Sequence, residues 1–160
     1  MENPEYLCNR IKADEFHFRA MMEIDLMEIM AIEQRSYNFP WTEGIFKDCM
    51  RVGYYCHVIE SEGVIAGYGV MTVGAGEAHI VNLCIKPELR NRGLGNRMLI
   101  HLMEQAGQLG VEYILLEVRP SNKAAIKLYL NKGFNEIGVR KGYYPSRSGR
   151  EDALILACAL

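Results

Sequence analysis

Two side chains in the second half of the chain could transfer protons, the carboxylate of Glu117 and the phenol of Tyr129. Glu117 is the one ionisable carboxylate inside the run Tyr113–Val118, whose apolar residues on both faces predict a central strand covered on both sides. A carboxylate buried there without a partner costs several kcal/mol. We therefore expect Glu117 either to pair with a cation, with Arg119 the first choice, or to serve in proton transfer.

Tyr129 lies on a predicted helix that begins at Ser121 or Asn122 and ends at Gly133. Helical spacing places Asn122 and Tyr129 on one face, beside the end of the Glu117 strand. The phenol is either a core aromatic whose hydroxyl bonds to the backbone or a proton donor for a leaving group. The spacing leaves both interpretations open.

A second region of the chain could bind an anion. Residues 90–95, Arg-Asn-Arg-Gly-Leu-Gly, lie between a strand-like run over residues 79–85 and an amphipathic helix over residues 94–109. The first amides of a helix have no intrahelical acceptors and lie at the positive end of its dipole, so a glycine-rich turn there leaves room for a phosphate. The alternative is an ordinary tight turn, because neither the Walker nor the Rossmann order of residues is present.

Composition limits the class of protein. The 160 residues, 49% of them hydrophobic, suit one domain over residues 15–160 after an N-terminal extension, residues 1–14. The net charge of −2 argues against a general binder of nucleic acid or membranes, although Arg90, Arg92 and Arg97 form a basic patch that suits one polyanionic ligand. Five cysteines without a Cys-x-x-Cys pair and four scattered histidines predict a reduced, metal-free cytoplasmic protein without a signal peptide or membrane span.

Turn and capping signals outline the elements that must position these residues. The predicted helices cover residues 25–35, 42–51, 94–109 and 122–133, with Asp25 and Thr42 at the start of the first two. A strand over residues 15–21 precedes three hairpin-linked strands that turn at residues 62–63 and 74–76. Strands over residues 112–118, 134–142 and 152–159 follow. These elements predict an α/β (α+β) fold, a mixed sheet with helices on both faces.

The last two predicted strands are joined by residues 142–152, which include Tyr143 and Tyr144. Long loops on a rigid sheet often carry substrate contacts. The alternative is a solvated hairpin with an amphipathic tyrosine pair.

Together these segments resemble the GNAT acetyltransferase superfamily. The resemblance rests on Arg90-x-x-Gly93-x-Gly95, the segment 116–122 with Glu117 and Asn122, Leu128-Tyr129 and residues 132–134. More narrowly, residues 33–35, 39–41, 140–145 and 149–153 resemble the RimI group of protein N-terminal acetyltransferases. The resemblance covers residues 20–158 and implies the GNAT fold, with a central mixed, mostly antiparallel sheet.

The resemblance implies acetyl-CoA as the cosubstrate, with its pyrophosphate on the glycine turn and its pantetheine arm beside the preceding strand. Carried over by position, the cofactor-binding residues are Leu83, Cys84, Ile85, Asn91, Arg92, Gly93, Leu94, Gly95, Asn96 and Asn122. The family often has Arg or Lys where this chain has Asn91 and Asn96, which leaves more of the phosphate binding to backbone amides and Arg97.

The resemblance also implies roles in a direct transfer through a ternary complex, with Glu117 as general base, Tyr129 as general acid and Cys84 as a wall of the cofactor slot. The acceptor would be the N-terminal amine, typically of alanine, of a small-subunit ribosomal protein. The implied peptide-contacting residues are Glu33, Phe39, Trp41, Tyr143 and Tyr144. Two alternatives stay open: a lysine side chain or small amine as the acceptor, or a non-catalytic acyl-CoA-sensing module.

Overall fold

The computed structural model describes residues 10–160, which contain four α-helices and seven strands. The helices are α1 (Leu26–Ser36), α2 (Glu43–Arg51), α3 (Leu94–Gln108) and α4 (Lys123–Leu130). The strands are β1 (His17–Ala20), β2 (Tyr55–Ser61), β3 (Val64–Gly74), β4 (Glu77–Ile85), β5 (Tyr113–Val118), β6 (Asn135–Ser146) and β7 (Gly149–Ala159). They form one sheet in the order β1-β2-β3-β4-β5-β7-β6. The predicted fold class, a mixed and mostly antiparallel sheet with helices, is confirmed.

The described chain divides into two compact units. The first unit contains the described residues up to Met71 together with Asn82–His101, and the second contains Thr72–Val81 and Leu102–Leu160. The expectation of one domain over residues 15–160 stays a prediction. The first nine residues of the predicted extension lie outside the described residues.

In the first unit, α1 and α2 contribute apolar faces to a core shared with β2 and β3. Leu26, Ile29 and Ile32 of α1 are buried in this core. The predicted N-cap Thr42 is confirmed, since its hydroxyl accepts a hydrogen bond from Ile45 N at 3.3 Å. Asp25 also precedes its helix, but its side chain does not cap it. The carboxylate instead pairs with Arg19 at 2.7 Å, because β1 brings a guanidinium within reach.

In the second unit, β5 lies between a parallel and an antiparallel neighbour. Its residues 113–116 pair with β4 residues 77–80, and its other edge pairs with β7. Ile114, Leu116 and Val118 are buried, whereas Leu115 and Glu117 on the opposite face are half-buried and Tyr113 is exposed. The prediction that β5 is covered on both faces is therefore right for one face only, and Glu117 lies on the more open one.

The final two strands are longer than the sequence predicts. Residues 142–152 form mainly a hairpin in which Tyr144 pairs with Glu151 and Ser146 with Gly149, so only residues 147–148 make the tip. The tyrosines favour extended backbone and continue the ladder. The segment is therefore a hairpin rather than a long loop, and its contact with a substrate stays a prediction. Among residues 10–160, no helix has the length and apolar character required to span a membrane.

Candidate active site

Glu117 has a cationic partner and a phenolic one. Its side chain is 20% exposed, and its Oε1 lies 2.9 Å from Nε of Arg140 on β6. The Tyr143 phenol lies beside the same carboxylate, which helps to raise the pKa of that phenol after the larger effect of burial. The expected pairing of Glu117 with Arg119 is wrong. Arg119 lies just beyond the end of β5 and pairs with Glu151 at 3.2 Å.

A β-bulge in β6 explains how two of its residues reach one carboxylate. Arg140 pairs with Ala153 and Tyr144 with Glu151, so three β6 residues lie opposite Asp152 alone. Gly142 takes a φ of 56° at the centre of the bulge, and its amide donates to Asp152 Oδ1 at 2.8 Å. Residues three apart on a regular strand face opposite sides of the sheet, whereas a bulge re-aims them. The bulge therefore presents both Arg140 and Tyr143 to Glu117.

Aromatic and guanidinium groups pack around the carboxylate. The rings of Tyr143 and Tyr144 meet edge to face at 4.9 Å, and the Arg119 guanidinium lies 4.3 Å above the Tyr144 ring. Burial, and secondarily the Glu117 carboxylate, raise the pKa of both tyrosines above the ordinary value. Both phenols therefore stay protonated at neutral pH and are available as hydrogen-bond donors.

Tyr129 lies on α4 and is 7% exposed. The helix begins as predicted at Asn122, whose Oδ1 accepts a hydrogen bond from Ala125 N at 3.2 Å. The Tyr129 ring packs against Phe134 at 5.7 Å, and burial raises the pKa of its phenol to about 12. The phenol thus keeps its proton at any physiological pH, which is the state required of a general acid.

The glycine turn in the first unit has the backbone of an anion cradle. Asn91 and Gly93 take φ values of 60° and 79°, and α3 begins immediately afterwards at Leu94. A Cβ placed on Gly93 would meet nothing within 4 Å, so the space beside this residue is open. The first intrahelical bond runs from Arg97 N to Gly93 O at 3.0 Å, and the earlier amides of the turn point outward. A phosphate group fits these donors.

The arginines around this turn are held by the protein itself. Arg90 donates through Nε to Ile85 O at 3.0 Å and through Nη2 to Ser36 Oγ at 3.0 Å. Arg92 and Arg97 donate to backbone carbonyls of residues 11–16. The sequence predicts the basic patch, but not that its guanidinium groups bind main-chain oxygens.

β4 offers an extended edge before the turn. Its ladder with β5 ends at Ile80, and within the described residues the rest of β4, including Leu83–Ile85, has no β5 partner. On the β3 side the approach is close, because a Cβ at Gly67 would lie 2.4 Å from Cys84 O. Cys84 itself is 3% exposed, which suits a wall rather than a nucleophile. Beyond Ile80 this edge has no neighbouring β5 residue in the described chain, although Leu83 O accepts from the Tyr37 hydroxyl at 3.2 Å and Ile85 O accepts from Arg90 Nε. An extended ligand could pair with the remaining backbone groups of the edge as a further strand does.

Glu33 is buried, unlike the other implied peptide-contacting residues. It is 1% exposed, and its carboxylate accepts hydrogen bonds from Trp41 N at 2.9 Å, from Asn82 Nδ2 at 3.3 Å and from the Tyr68 hydroxyl. Phe39 is 46% exposed, whereas Trp41 packs against Phe46 at 5.2 Å. Glu33 thus fixes the main chain of the segment that carries these aromatics, and its oxygens serve donors of the protein.

The residue types suit proton transfer in the second unit and anion binding in the first. The described part of the chain holds no cluster of three or more His, Cys, Asp or Glu side chains able to bind a metal ion. Glu117, Tyr129, Asn122, Tyr143 and Tyr144 belong to the second unit. The glycine turn, Leu83–Ile85, Glu33, Phe39 and Trp41 belong to the first.

Comparison with known proteins identifies the family. Residues 25–134 match the family model of the GNAT acetyltransferases. The chain belongs to the GNAT acetyltransferase family. The ribosomal protein bS18-alanine N-acetyltransferase of Escherichia coli (strain K12) is 40% identical over 133 residues, which are 83% of this chain and 90% of that protein. The sequence-based assignment to this family is therefore confirmed.

Solved structures agree with that assignment. The crystal structure of the ribosomal-protein-S18-alanine N-acetyltransferase from Escherichia coli matches with a TM-score of 0.84 at 37% identity, over 90% of this chain and 93% of that chain. The fold is also similar to that of yncA from Salmonella typhimurium, solved with its cofactor acetyl-CoA (TM-score 0.76, 18% identity, 91% and 94% coverage). GNAT acetyltransferases use acetyl-CoA.

Sequence reasoning misses three contributors to this arrangement. Arg140 occurs in a motif of the resemblance but is not foreseen as the partner of Glu117, because their contact depends on the register of β6. Asp152 holds the bulge, and Tyr68 donates to Glu33. A signal for the burial of Glu33 does exist, since Leu26, Ile29 and Glu33 recur at helical spacing on one face of α1.

Proposed function

We propose that this GNAT enzyme transfers the acetyl group of acetyl-CoA to the N-terminal amine, typically of alanine, of a small-subunit ribosomal protein. The observation that carries the proposal is Glu117, a half-buried carboxylate that solvent still reaches and that Arg140 holds at 2.9 Å. A relative that is 40% identical acts on the alanine of ribosomal protein bS18, which supports this acceptor. The cytoplasmic location stays a prediction.

In the proposed reaction Glu117 acts as the general base. An α-ammonium group has an ordinary pKa of about 7.7–8.0, so part of the substrate amine is already neutral near pH 7, and Glu117, through a water, would take the proton that the amine releases. The neutral amine nitrogen then forms the new N–C bond while the thioester C–S bond breaks. Tyr129 donates its proton to the leaving sulfur, and a β4 amide near Leu83 or Ile85 polarises the carbonyl.

The cosubstrate supplies the acetyl group as an activated thioester, and the chain's backbone would hold most of it. The amides of residues 91–96 would receive the pyrophosphate, and Leu83–Ile85 would pair with the extended arm. The Oδ1 of Asn122 already caps α4, so its side-chain amide nitrogen is the group we assign to cofactor contact.

Exposed aromatic side chains support a peptide as the acceptor. Phe39 is 46% exposed and Tyr143 is 43% exposed, and both are large amphipathic or apolar groups on ordered backbone. We assign Phe39, Trp41, Tyr143 and Tyr144 to contacts with the first residues of the peptide. Glu33 would act indirectly, by fixing the segment that ends at Trp41.

A mass-resolved acetylation assay tests the proposal. Acetyl-CoA is offered with a peptide that begins Ala-Arg-Tyr, and with the same peptide carrying a blocked N-terminus and a free lysine. We expect one acetyl group on the free N-terminus only. Transfer to the lysine alone would contradict the acceptor, and tight acetyl-CoA binding without transfer to either peptide would contradict catalysis.

A further inference from the structure

A short segment before β1 closes over the glycine turn through two arginines. Arg92 Nη2 donates to Ile11 O at 2.5 Å, and Arg97 donates through Nη1 to Ala13 O and through Nη2 to Phe16 O at 2.6 Å. We call residues 11–16 the clasp. Its two apolar ends are anchored, since Ile11 is 3% exposed and Phe16 is 1% exposed.

Arg92 belongs to the glycine turn that is proposed to bind phosphate, and Arg97 follows that turn closely in the chain. Arg92 lies between Asn91 and Gly93, the two residues with positive φ, so restraining its side chain restrains the backbone of the turn. Arg97 lies in the first turn of α3, where the positive end of the helix dipole makes a cation unfavourable. Hydrogen-bond acceptors beside the guanidinium can offset this cost. The clasp carbonyls provide those acceptors.

The clasp also fixes positive charge in place. A long arginine side chain loses considerable rotamer freedom when it binds a ligand. Here three carbonyls and the ring of Phe18, which lies 5.5 Å below the Arg97 guanidinium, hold the two groups beforehand. These carbonyl oxygens hold the two guanidinium groups in place without adding a negative charge of their own.

We propose that the clasp is a working part of the acetyl-CoA site. By holding Arg92 and Arg97 it preorganises the glycine turn and its positive charge for the phosphate groups of the cosubstrate. This inference rests on the proposed function, because it assigns the segment to the same binding site. It predicts an effect on acetyl-CoA affinity and on its KM, without an equal effect on kcat or on the KM of the peptide.

Calorimetric titration of acetyl-CoA into full-length variants tests the inference. Ile11→Asp places a charge at the buried anchor and should release the clasp, and Arg92→Gln removes one of the held cations. Each should weaken binding roughly ten-fold, the loss of about one charged hydrogen bond. The double variant should bind acetyl-CoA about as tightly as the single variant with the lower affinity, because both substitutions remove the same contact. Arg51→Gln, an exposed position on α2, is the matched control.

Hydrogen exchange on the unaltered protein gives a second readout that no folding defect can confuse. Adding CoA should slow amide exchange in residues 11–16 as well as in the glycine turn. Two results would contradict the role of the clasp without contradicting the proposed function. One is a folded Ile11→Asp variant with unchanged acetyl-CoA affinity, and the other is amide exchange in residues 11–16 that does not change when CoA is added. If the unaltered protein binds no acetyl-CoA, the proposed function fails together with the inference.

Discussion

Glu33 and Glu117 both lie in regular secondary structure, yet they differ in exposure to solvent and in the groups that surround their carboxylates. Glu33 is 1% exposed and three donors of the protein occupy its carboxylate. Glu117 keeps a 20% exposed side chain, with an exposed arginine and a tyrosine hydroxyl as partners. Of these two carboxylates, only Glu117 is accessible to a molecule that arrives from solvent.

The comparison shows which properties distinguish a structural carboxylate from one suited to proton transfer: its exposed fraction and the number of internal donors that it accepts from. A carboxylate that accepts several internal hydrogen bonds stabilises one arrangement of the chain and is costly to disturb. A carboxylate with access to water can serve in general base catalysis. We therefore expect substitutions at the two positions to fail in opposite ways.

The largest expected effect is on turnover, from Glu117→Gln. This variant keeps the shape of the side chain but cannot accept the proton, so kcat should fall about 10²-fold or more while acetyl-CoA still binds. Steady-state kinetics with calorimetry measures both quantities. Glu112→Gln, at an exposed position just before β5, is the control and should behave like the unaltered protein. Turnover within a factor of about three of normal would remove Glu117 from the mechanism.

Tyr129→Phe removes the proposed acid and should also lower kcat about 10²-fold. The fold should survive, because the ring and its contact with Phe134 remain. Tyr113→Phe on β5, where the side chain is 49% exposed, is the matched control. If Tyr129→Phe turned over normally, Tyr129 would be a core aromatic, as the alternative interpretation of its helix position holds.

Glu33→Gln should instead destabilise the protein, by about 2 kcal/mol, because charge-assisted hydrogen bonds to a buried carboxylate are lost. Urea unfolding measures this, and kcat should stay within about three-fold of normal. The exposed Glu43→Gln is the control and should change stability by less than about 0.5 kcal/mol. If Glu33→Gln kept its stability but lost most of its kcat, Glu33 would have the reactive role and our assignment of the two glutamates would be wrong.

Trp41→Ala and Tyr144→Ala should each raise the peptide KM about ten-fold, with a smaller change in kcat, because aromatic contacts with a bound peptide are lost. Kinetics at saturating acetyl-CoA distinguishes this from a cofactor effect. Tyr54→Ala, at a half-exposed tyrosine outside the proposed site, serves as control. An unchanged peptide KM in both variants would place the peptide elsewhere.

The smallest effect is an absence of change at alkaline pH. Burial raises the pKa of Tyr129 to about 12, so its protonated form, which the acid role requires, is lost only as the pH approaches that value. The peptide kcat/KM should rise as the substrate amine loses its proton near pH 8 and then stay level to about pH 10. A decline centred below about pH 10 that disappears in Tyr129→Phe would show that the phenol titrates earlier.

Local signals account for most of the elements that the sequence predicts correctly. Thr42 caps α2, Glu62 and Gly63 turn the first hairpin, and Gly133 takes a φ of 89° just after α4. Each depends on one or two residues and on backbone conformations that few side chains tolerate. The glycine turn is predictable for the same reason.

Contacts between distant segments are not predictable in this way. The partner of Glu117 is 23 residues away in the chain, and the choice of Arg140 over Arg119 depends on the strand order β5-β7-β6 and on a bulge. The contacts of Arg92 and Arg97 with the clasp span 81 to 84 residues. Sequence patterns identify such residues by type, whereas their partners depend on how the sheet assembles.

The bulge in β6 makes the identity of the tyrosine beside Glu117 a matter of counting residues. Side chains alternate between the two faces of a strand. Deleting one residue between Arg140 and Tyr143 would therefore move each later β6 side chain to the opposite face, up to the tip of the hairpin. Tyr144 would then take the orientation of Tyr143. The loss or gain of a single residue in this segment would thus change which tyrosine faces Glu117 while leaving Glu117, Tyr143 and Tyr144 all in the sequence.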